Sequence, residues 1–455
     1  MVLVFFSQVS HIFANPLFPS DNNPATKDWV DKQALIQYGE PKLPWKGMTQ
    51  ETEMAEERYV SYRWVMLALV WVIGICQSWV RIIPSPLAKP LMADLNMDHG
   101  MLMAALGAPM IVSIFLAIPG GILADKFGLK RMIIIAGIIS GISGILRGYS
   151  TTYLQFFVFG IVSGFGLAIM MPNLAKLVRE WFPPHQIAIA SGIYGTATIG
   201  GMTLGFGFTY PIFGSNWRLA FYSISGLLLL GIVIWFFLAK ERKREAEKHT
   251  IIQNVLQAAR YPNVWMTAFF MFFSIGGLDI FIRLLPVALQ TARSIDPITA
   301  GAIASVSTIG AIAGQLLVPF ISDRIGIRKP FLIVCPVLGA IGLFLTWNLP
   351  FGLSTWVFSF LMGLLSAGGA TPIISAVLIE QPGMPAEILG TAVGLRTAVS
   401  SAGMYLTGVL GGYIVDWTSG YDIPFLVAGI VALVSVIFGA LVTETGPKAR
   451  ARVNP

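Results

Sequence analysis

Long apolar runs without a single charge limit the fold of this chain more than any other feature, and the segment from Met101 to Leu123 is one of them. A helix needs about 20 such residues, rising about 1.5 Å each, to cross roughly 30 Å of hydrocarbon. Twelve segments meet that need: 64–88, 101–123, 132–149, 153–175, 187–213 and 219–239, then 264–289, 297–320, 330–348, 354–379, 389–415 and 423–443. The fold class that follows is an all-α membrane protein with twelve transmembrane helices. Hydrophobic residues make up 55% of the 455 positions and charged residues 12%, too apolar a balance for a surface facing water. The 47 glycines, many inside these runs, suit helices that approach closely in a bilayer.

The net charge of +7 sits in the short connections between spans. With both termini in the cytoplasm, inside loops hold 14 Lys and Arg, among them Lys130, Arg131, Arg242 and Arg328; outside loops hold Lys89, Arg147, Arg218 and Arg293. The positive-inside rule selects this orientation; an inner or plasma membrane is expected. The same distribution gives the basic residues a topological role in place of nucleic-acid binding. Cys76 and Cys335 fall within spans and are expected to be free thiols. No phosphate-cradling glycine loop and no clustered metal or nucleophile motif is present, so an enzyme, a metal site and a cofactor are not expected.

The first 47 residues are polar, with one short apolar run from Val2 to Phe6 and no basic start to a signal peptide. They are expected to form a cytoplasmic tail, or to lie upstream of a start at Met48 or Met54. The expected organisation is a tail at 1–61, a first six-helix bundle at 62–239, a cytoplasmic central loop at 240–262, a second bundle at 263–443 and a tail at 444–455. A monomer is expected.

The two bundles are a repeat. After span two the chain reads Gly121-Ile-Leu-Ala-Asp125-Lys-Phe-Gly128-Leu-Lys130-Arg131, and after span eight Phe320-Ile-Ser-Asp323-Arg324-Ile-Gly326-Ile-Arg328-Lys329. The aspartates are 198 apart, Arg81-Ile-Ile-Pro84 and Arg283-Leu-Leu-Pro286 are 202 apart, and Pro172 with Pro372 and Glu180 with Glu380 repeat at 200. Four landmarks at nearly one shift mark a duplication, and duplicated transporters place their solute between the halves.

The two aspartate loops resemble the Gly-x-Leu-x-Asp-x-x-Gly-x-Lys/Arg-Lys/Arg signature of the major facilitator superfamily, over about 62–445. The resemblance implies two pseudo-symmetric six-helix bundles, alternating access, and a cytoplasmic latch at Gly121, Asp125, Gly128, Lys130 and Arg131. Asp323, Gly326 and Arg328 repeat it in the second half. Gly121 and Gly128 permit a tight turn, Asp125 can cap a helix or pair with a basic group, and Lys130 and Arg131 can face anionic headgroups. Topology marking alone also accounts for the last two.

A charge within the bilayer costs roughly 2.5–3.5 kcal/mol on insertion scales, so each intramembrane charge is a candidate for function. Arg81 and Arg283 lie deep in the first helix of each half, and the resemblance makes those helices face each other across the cavity. Two converging guanidiniums suit an oxyanion, so a small anionic organic solute is expected. Alternatively both arginines snorkel to the outer interface, which eighteen residues of helix, about 27 Å, would reach. Gln77, Arg81 and Ser85 recur every four residues as a polar stripe on span one. Asp279, four residues before Arg283, is either the proton carrier of a coupled transporter or a permanent counter-ion. Arg396 in span eleven, and Tyr194 at its counterpart in span five, complete the expected solute site. Replacing Arg81 or Arg283 is expected to abolish anion binding with folding intact.

Pro172-Asn173, Leu177-Val178, Trp181-Phe182-Pro183 and Ser191-Gly192-Ile193-Tyr194 resemble the anion:cation symporter branch, as does the arginine of span one. That branch carries an acid where Val80 stands, and no acid lies between Thr151 and Arg179. Asp279 would then have to carry the proton. The alternatives are an exporter of hydrophobic or drug-like compounds, against which Gly192–Gly207 lacks the Gly-Pro pair common in span five of drug antiporters, and a transporter-like sensor signalling through 240–249.

Overall fold

The computed structural model describes residues 50–117, 119, 127–182, 186–240, 251–381, 383–446 and 448, and among them every regular element is helical. The chain divides at Val70 into two units. The described part of the first unit is one continuous helix, the leading part of α1 (Gln50–Ile82). Gln, Glu, Met and Ala are good helix formers, which is why α1 begins well ahead of the expected span and residues 50–61 are helical where a tail was expected. The rest of the tail lies outside the described residues.

The second unit, Trp71–Pro455, holds everything else. After α2 (Ala88–Leu95) come α3 (His99–Leu116), α4 (Leu129–Tyr149), α5 (Tyr153–Trp181), α6 (Ile187–Phe213) and α7 (Trp217–Leu238). A short α8 (Ile251–Ala258) lies within the expected central loop and packs on α14. Then follow α9 (Pro262–Ala292), α10 (Pro297–Ile325), α11 (Lys329–Asn348), α12 (Leu353–Gly363) with α13 (Thr371–Ile379), α14 (Ala386–Thr418) and α15 (Asp422–Leu441). Eleven spans qualify by length and composition among the described residues; α6 adds a twelfth long helix without a charged residue. Cys76 and Cys335 are buried free thiols.

Two spans depart from the expected limits. The first ends at Ile82 rather than at 88, because Pro84 and Pro86 cannot continue the helical ladder. Ser85 therefore lies beyond the helix that carries Gln77 and Arg81. The tenth is helical across 353–379 but passes through a π-helical stretch at Leu364–Ala370, just ahead of Pro372, whose ring and missing N–H disturb the preceding turn.

Burial identifies the outer and inner helices. Only 33% of the spanning window is buried in α7 and in α15, the last helix of each repeat, whereas α9 is 78% buried. Leu230, Phe237, Ile430 and Ile437 on the outer pair are exposed, as lipid-facing residues would be. The halves meet through equivalent helices: α3 packs on α14, and α6 on α10, which are the second and fifth spans of opposite repeats.

Hydrogen bonds gather at one end of those contacts. Asp416, near the end of α14, accepts from His99 N at 3.1 Å and Gly100 N at 2.8 Å, two orphan donors at the N-terminus of α3. His99 Nδ1 lies 2.8 Å from the same carboxylate, and its Nε2 lies 2.8 Å from the Tyr421 hydroxyl. Lys89 donates to Gln290 O at 2.9 Å, and Thr203 and Thr308 share a hydroxyl bond of 2.7 Å. At this end Trp217 and Arg218 donate to Asp94, at 3.0 and 2.6 Å, and hold its carboxyl below the usual carboxylate range.

Candidate functional site

Arg81 occupies the last turn of α1, and the chain beyond it does not open to the surface. Ile82 through Ala88 are all buried, so the break at Pro84–Pro86 forms a plug over the arginine. The guanidinium lies against one soft acceptor, Met202 Sδ, at 3.4 Å from Nη2. Snorkelling to the interface is therefore not what this side chain does. Gln77, one turn earlier on α1, donates to Ser140 Oγ of α4 at 2.8 Å.

Arg81 and Gln77 line a narrow crevice of about 10 Å³, room for about one water in this state, bounded also by Ser140, Arg147, Ser163 and Leu167. Arg147 is the residue whose role sequence reasoning missed, although the expected span 132–149 already contained it. Counted with the outside loops, it lies in the last turn of α4 and is only 1% exposed. Its guanidinium stacks 4.1 Å from the centre of the Phe156 ring, and Nη2 donates to Ala105 O at 3.0 Å. That carbonyl needs a donor: it lies four residues before Pro109, inside α3, and a proline has no N–H to give it. The available signal was its place inside that expected span, where every charge is a candidate for function.

Arg283 is beside this cavity rather than on its wall. Its Nε donates to Asp279 Oδ1 at 2.6 Å, Nη1 donates to Leu106 O at 2.8 Å, and its own carbonyl accepts from Ser85 Oγ at 2.7 Å. Arg147 and Arg283 thus hold adjacent carbonyls of α3, and Arg81 lies within the field of both Arg283 and Asp279. The expected convergence of Arg81 on Arg283 is present as proximity, but the second guanidinium on the cavity wall is Arg147. The Asp279–Arg283 ion pair is formed, with the two side chains 7% and 2% exposed.

Tyr194 and Arg396 are not gathered here. Tyr194, partly buried in α6, bonds Thr198 one turn on, and Arg396 donates to Ser375 Oγ at 2.9 Å within the second half. Neither lines the cavity.

Of the expected latch, Gly121 and Asp125 lie outside the described residues. Gly128 and Gly326 both take positive φ, +88° and +78°, which a side chain would strain, although only Gly326 is left-handed helical in ψ as well. In the second loop Arg328 pairs with Asp323 at 2.5 Å and with Glu380 at 3.0 Å, while Glu444 accepts from Arg328 N and Lys329 N at the start of α11. These partners all belong to the second half. In the first loop Arg131 is exposed, and the Lys130 ammonium lies 5.6 Å from the centre of the Phe236 ring.

Among the described residues twelve long helices form an apolar bundle with buried arginines between them, as a membrane protein requires. The model of the Major Facilitator Superfamily matches residues 70–383 and 267–455, and the chain belongs to that family. It is 24% identical over 397 residues to a probable sulfoacetate transporter of Cupriavidus necator, covering 81% of this chain and 91% of the relative. It is also 24% identical over 380 residues to Multidrug resistance protein 2 of Bacillus subtilis, covering 81% and 93%. Among solved structures, a bacterial homologue of the human lysosomal transporter Spinster, inward-facing and occupied, superposes with a TM-score of 0.69 at 16% identity, covering 84% of this chain and 97% of that one. The protein is an integral membrane protein and a secondary transporter of a small-molecule solute.

Proposed function

We propose that the protein carries a small organic anion across the membrane by alternating access, with the anion held at Arg81. The observation that carries this reading is the cavity wall: Arg81 and Arg147 lie on it, together with Gln77 and two serines, and no carboxylate does among the described residues. Permanently charged planar donors beside an amide and hydroxyls suit a carboxylate or another oxyanion. The sulfoacetate transporter among the relatives supports an anionic solute, and the multidrug relative supports the alternative of a hydrophobic-compound exporter. The deciding experiment is thermal stabilisation of the purified protein by carboxylates, sulfonates, phosphate esters and lipophilic cations. A rise in Tm with an anion class supports the proposal; a rise with lipophilic cations alone would move the assignment to the exporter.

With the termini cytoplasmic, the end sealed by His99 and Asp416 is external, the end that an inward-facing transporter such as the Spinster homologue closes. Asp416→Ala removes three bonds across the seal, about 1–3 kcal/mol in all and enough to shift a two-state equilibrium about 5- to 150-fold. Spin labels at Thr151 and Ile298, exposed on opposite halves at that end, are expected to move apart in the variant. An unchanged distance distribution would mean that Asp416 does not hold the gate.

If transport is proton-coupled, we infer that Asp279 is the carrier; the alternative is a permanent counter-ion to Arg283. Protonation of Asp279 would remove the carboxylate charge, weaken its hold on Arg283 Nε and leave that guanidinium free to respond to the solute. Asp279→Asn is expected to retain solute exchange but lose uphill uptake driven by a pH gradient. Uptake with wild-type pH dependence in this variant would remove Asp279 from the coupling scheme.

A further inference from the structure

We propose that the solute is a dianion, a compact molecule with two oxyanion groups, and that Arg147 holds the second group while Arg81 holds the first. This rests on the reading of the chain as an anion transporter and names the class of anion. The cavity wall carries two permanent positive charges and no negative one among the described residues. The nearby carboxylate, Asp279, is already spent on Arg283 at 2.6 Å, so that pair adds no net charge. A monoanion would leave one buried guanidinium uncompensated in a low-dielectric site, and a dianion would not.

Arg147 also has a donor to give. Its Nη2 serves Ala105 O and its face is covered by Phe156, but its Nε is buried with no partner. Buried donors in native structures are met by protein, water or ligand, and the Nε edge of a guanidinium is one on which an oxyanion binds bidentate. The wall position and the orphan donor are independent observations, and both point to an acceptor group arriving from the cavity.

The test is equilibrium binding to the purified full chain at neutral pH, with matched probes of similar size: succinate against butyrate, malonate against propionate, and glutarate against pentanoate. At least one dianion is expected to bind about 10- to 100-fold tighter than its monoanionic partner, the ratio a charge-assisted hydrogen bond supplies. Arg147→Gln is expected to bring the two members of that pair to near parity, and Arg147→Lys to restore part of the difference. Because Arg147→Gln alone strands Ala105 O, the double variant Pro109→Ala/Arg147→Gln, which returns a helical donor to that carbonyl, is measured beside it and should show the same parity. Equal binding of both members of every pair in the wild type overturns the dianion while leaving an anion transporter. Binding of neither member of any pair overturns the anion reading itself. A preference that survives in the double variant makes Arg147 a structural prop and overturns its assignment.

Discussion

Arg81→Ala is expected to abolish saturable binding of anions without lowering the melting temperature of the purified protein. The structural cost is small, because the guanidinium touches only the Met202 thioether among its hydrogen-bond acceptors and the fields of Arg283 and Asp279 on it oppose one another. The functional cost is large, because a buried charged partner is worth about 2–5 kcal/mol to the ion that meets it, or about 30-fold to several thousand-fold in affinity. A titration of the variant against the best wild-type anion checks both halves of the statement. Retained affinity would place the solute away from α1, and a collapsed Tm would make Arg81 a folding residue.

Arg283→Ala is expected to behave differently, and here the structure corrects the sequence-based expectation that folding would be unaffected. Removing this guanidinium leaves Asp279 as a buried carboxylate without its counter-ion, strips a donor from Leu106 O and breaks a contact between the two halves. Breaking one member of a buried pair costs about 3–5 kcal/mol, whereas replacing both by apolar residues of similar volume is close to neutral. Arg283→Ala should therefore melt well below the wild type, and Asp279→Leu/Arg283→Met should recover most of that loss while remaining inactive in transport. A double variant no more stable than Arg283→Ala would mean that the bonds to α3 matter more than the charge on Asp279.

The spans were legible because lipid demands long uncharged runs, and α6 begins and ends at the expected Ile187 and Phe213. Their interruptions were less so. Pro84 and Pro86 end α1 and Pro286 does not end α9, although Arg81-Ile-Ile-Pro and Arg283-Leu-Leu-Pro read alike. The first carries a second proline two residues on, and two missing donors in a row of turns are harder to absorb than one. The charges at the centre divided similarly. Arg81, Gln77 and the Asp279–Arg283 pair could be read from spacing along one helix, since four residues make a turn. Arg147 could not, because its reason for being buried is a carbonyl 42 positions away, freed by a proline in another helix. The seal between His99 and Asp416, 317 positions apart, leaves no local pattern at all. Tyr194 and Arg396 were paired by the repeat shift, which predicts equivalent depth but not which side chains share a cavity.

The central claim, that this chain moves small organic anions, is tested most directly by uptake of labelled succinate and phosphoglycolate into proteoliposomes containing the wild type or Arg81→Ala. The account predicts saturable uptake of at least one of them, competed by the unlabelled anion, unaffected by lipophilic cations and absent in Arg81→Ala. Uptake of neither, together with saturable transport of a lipophilic cation that persists in Arg81→Ala, would contradict it.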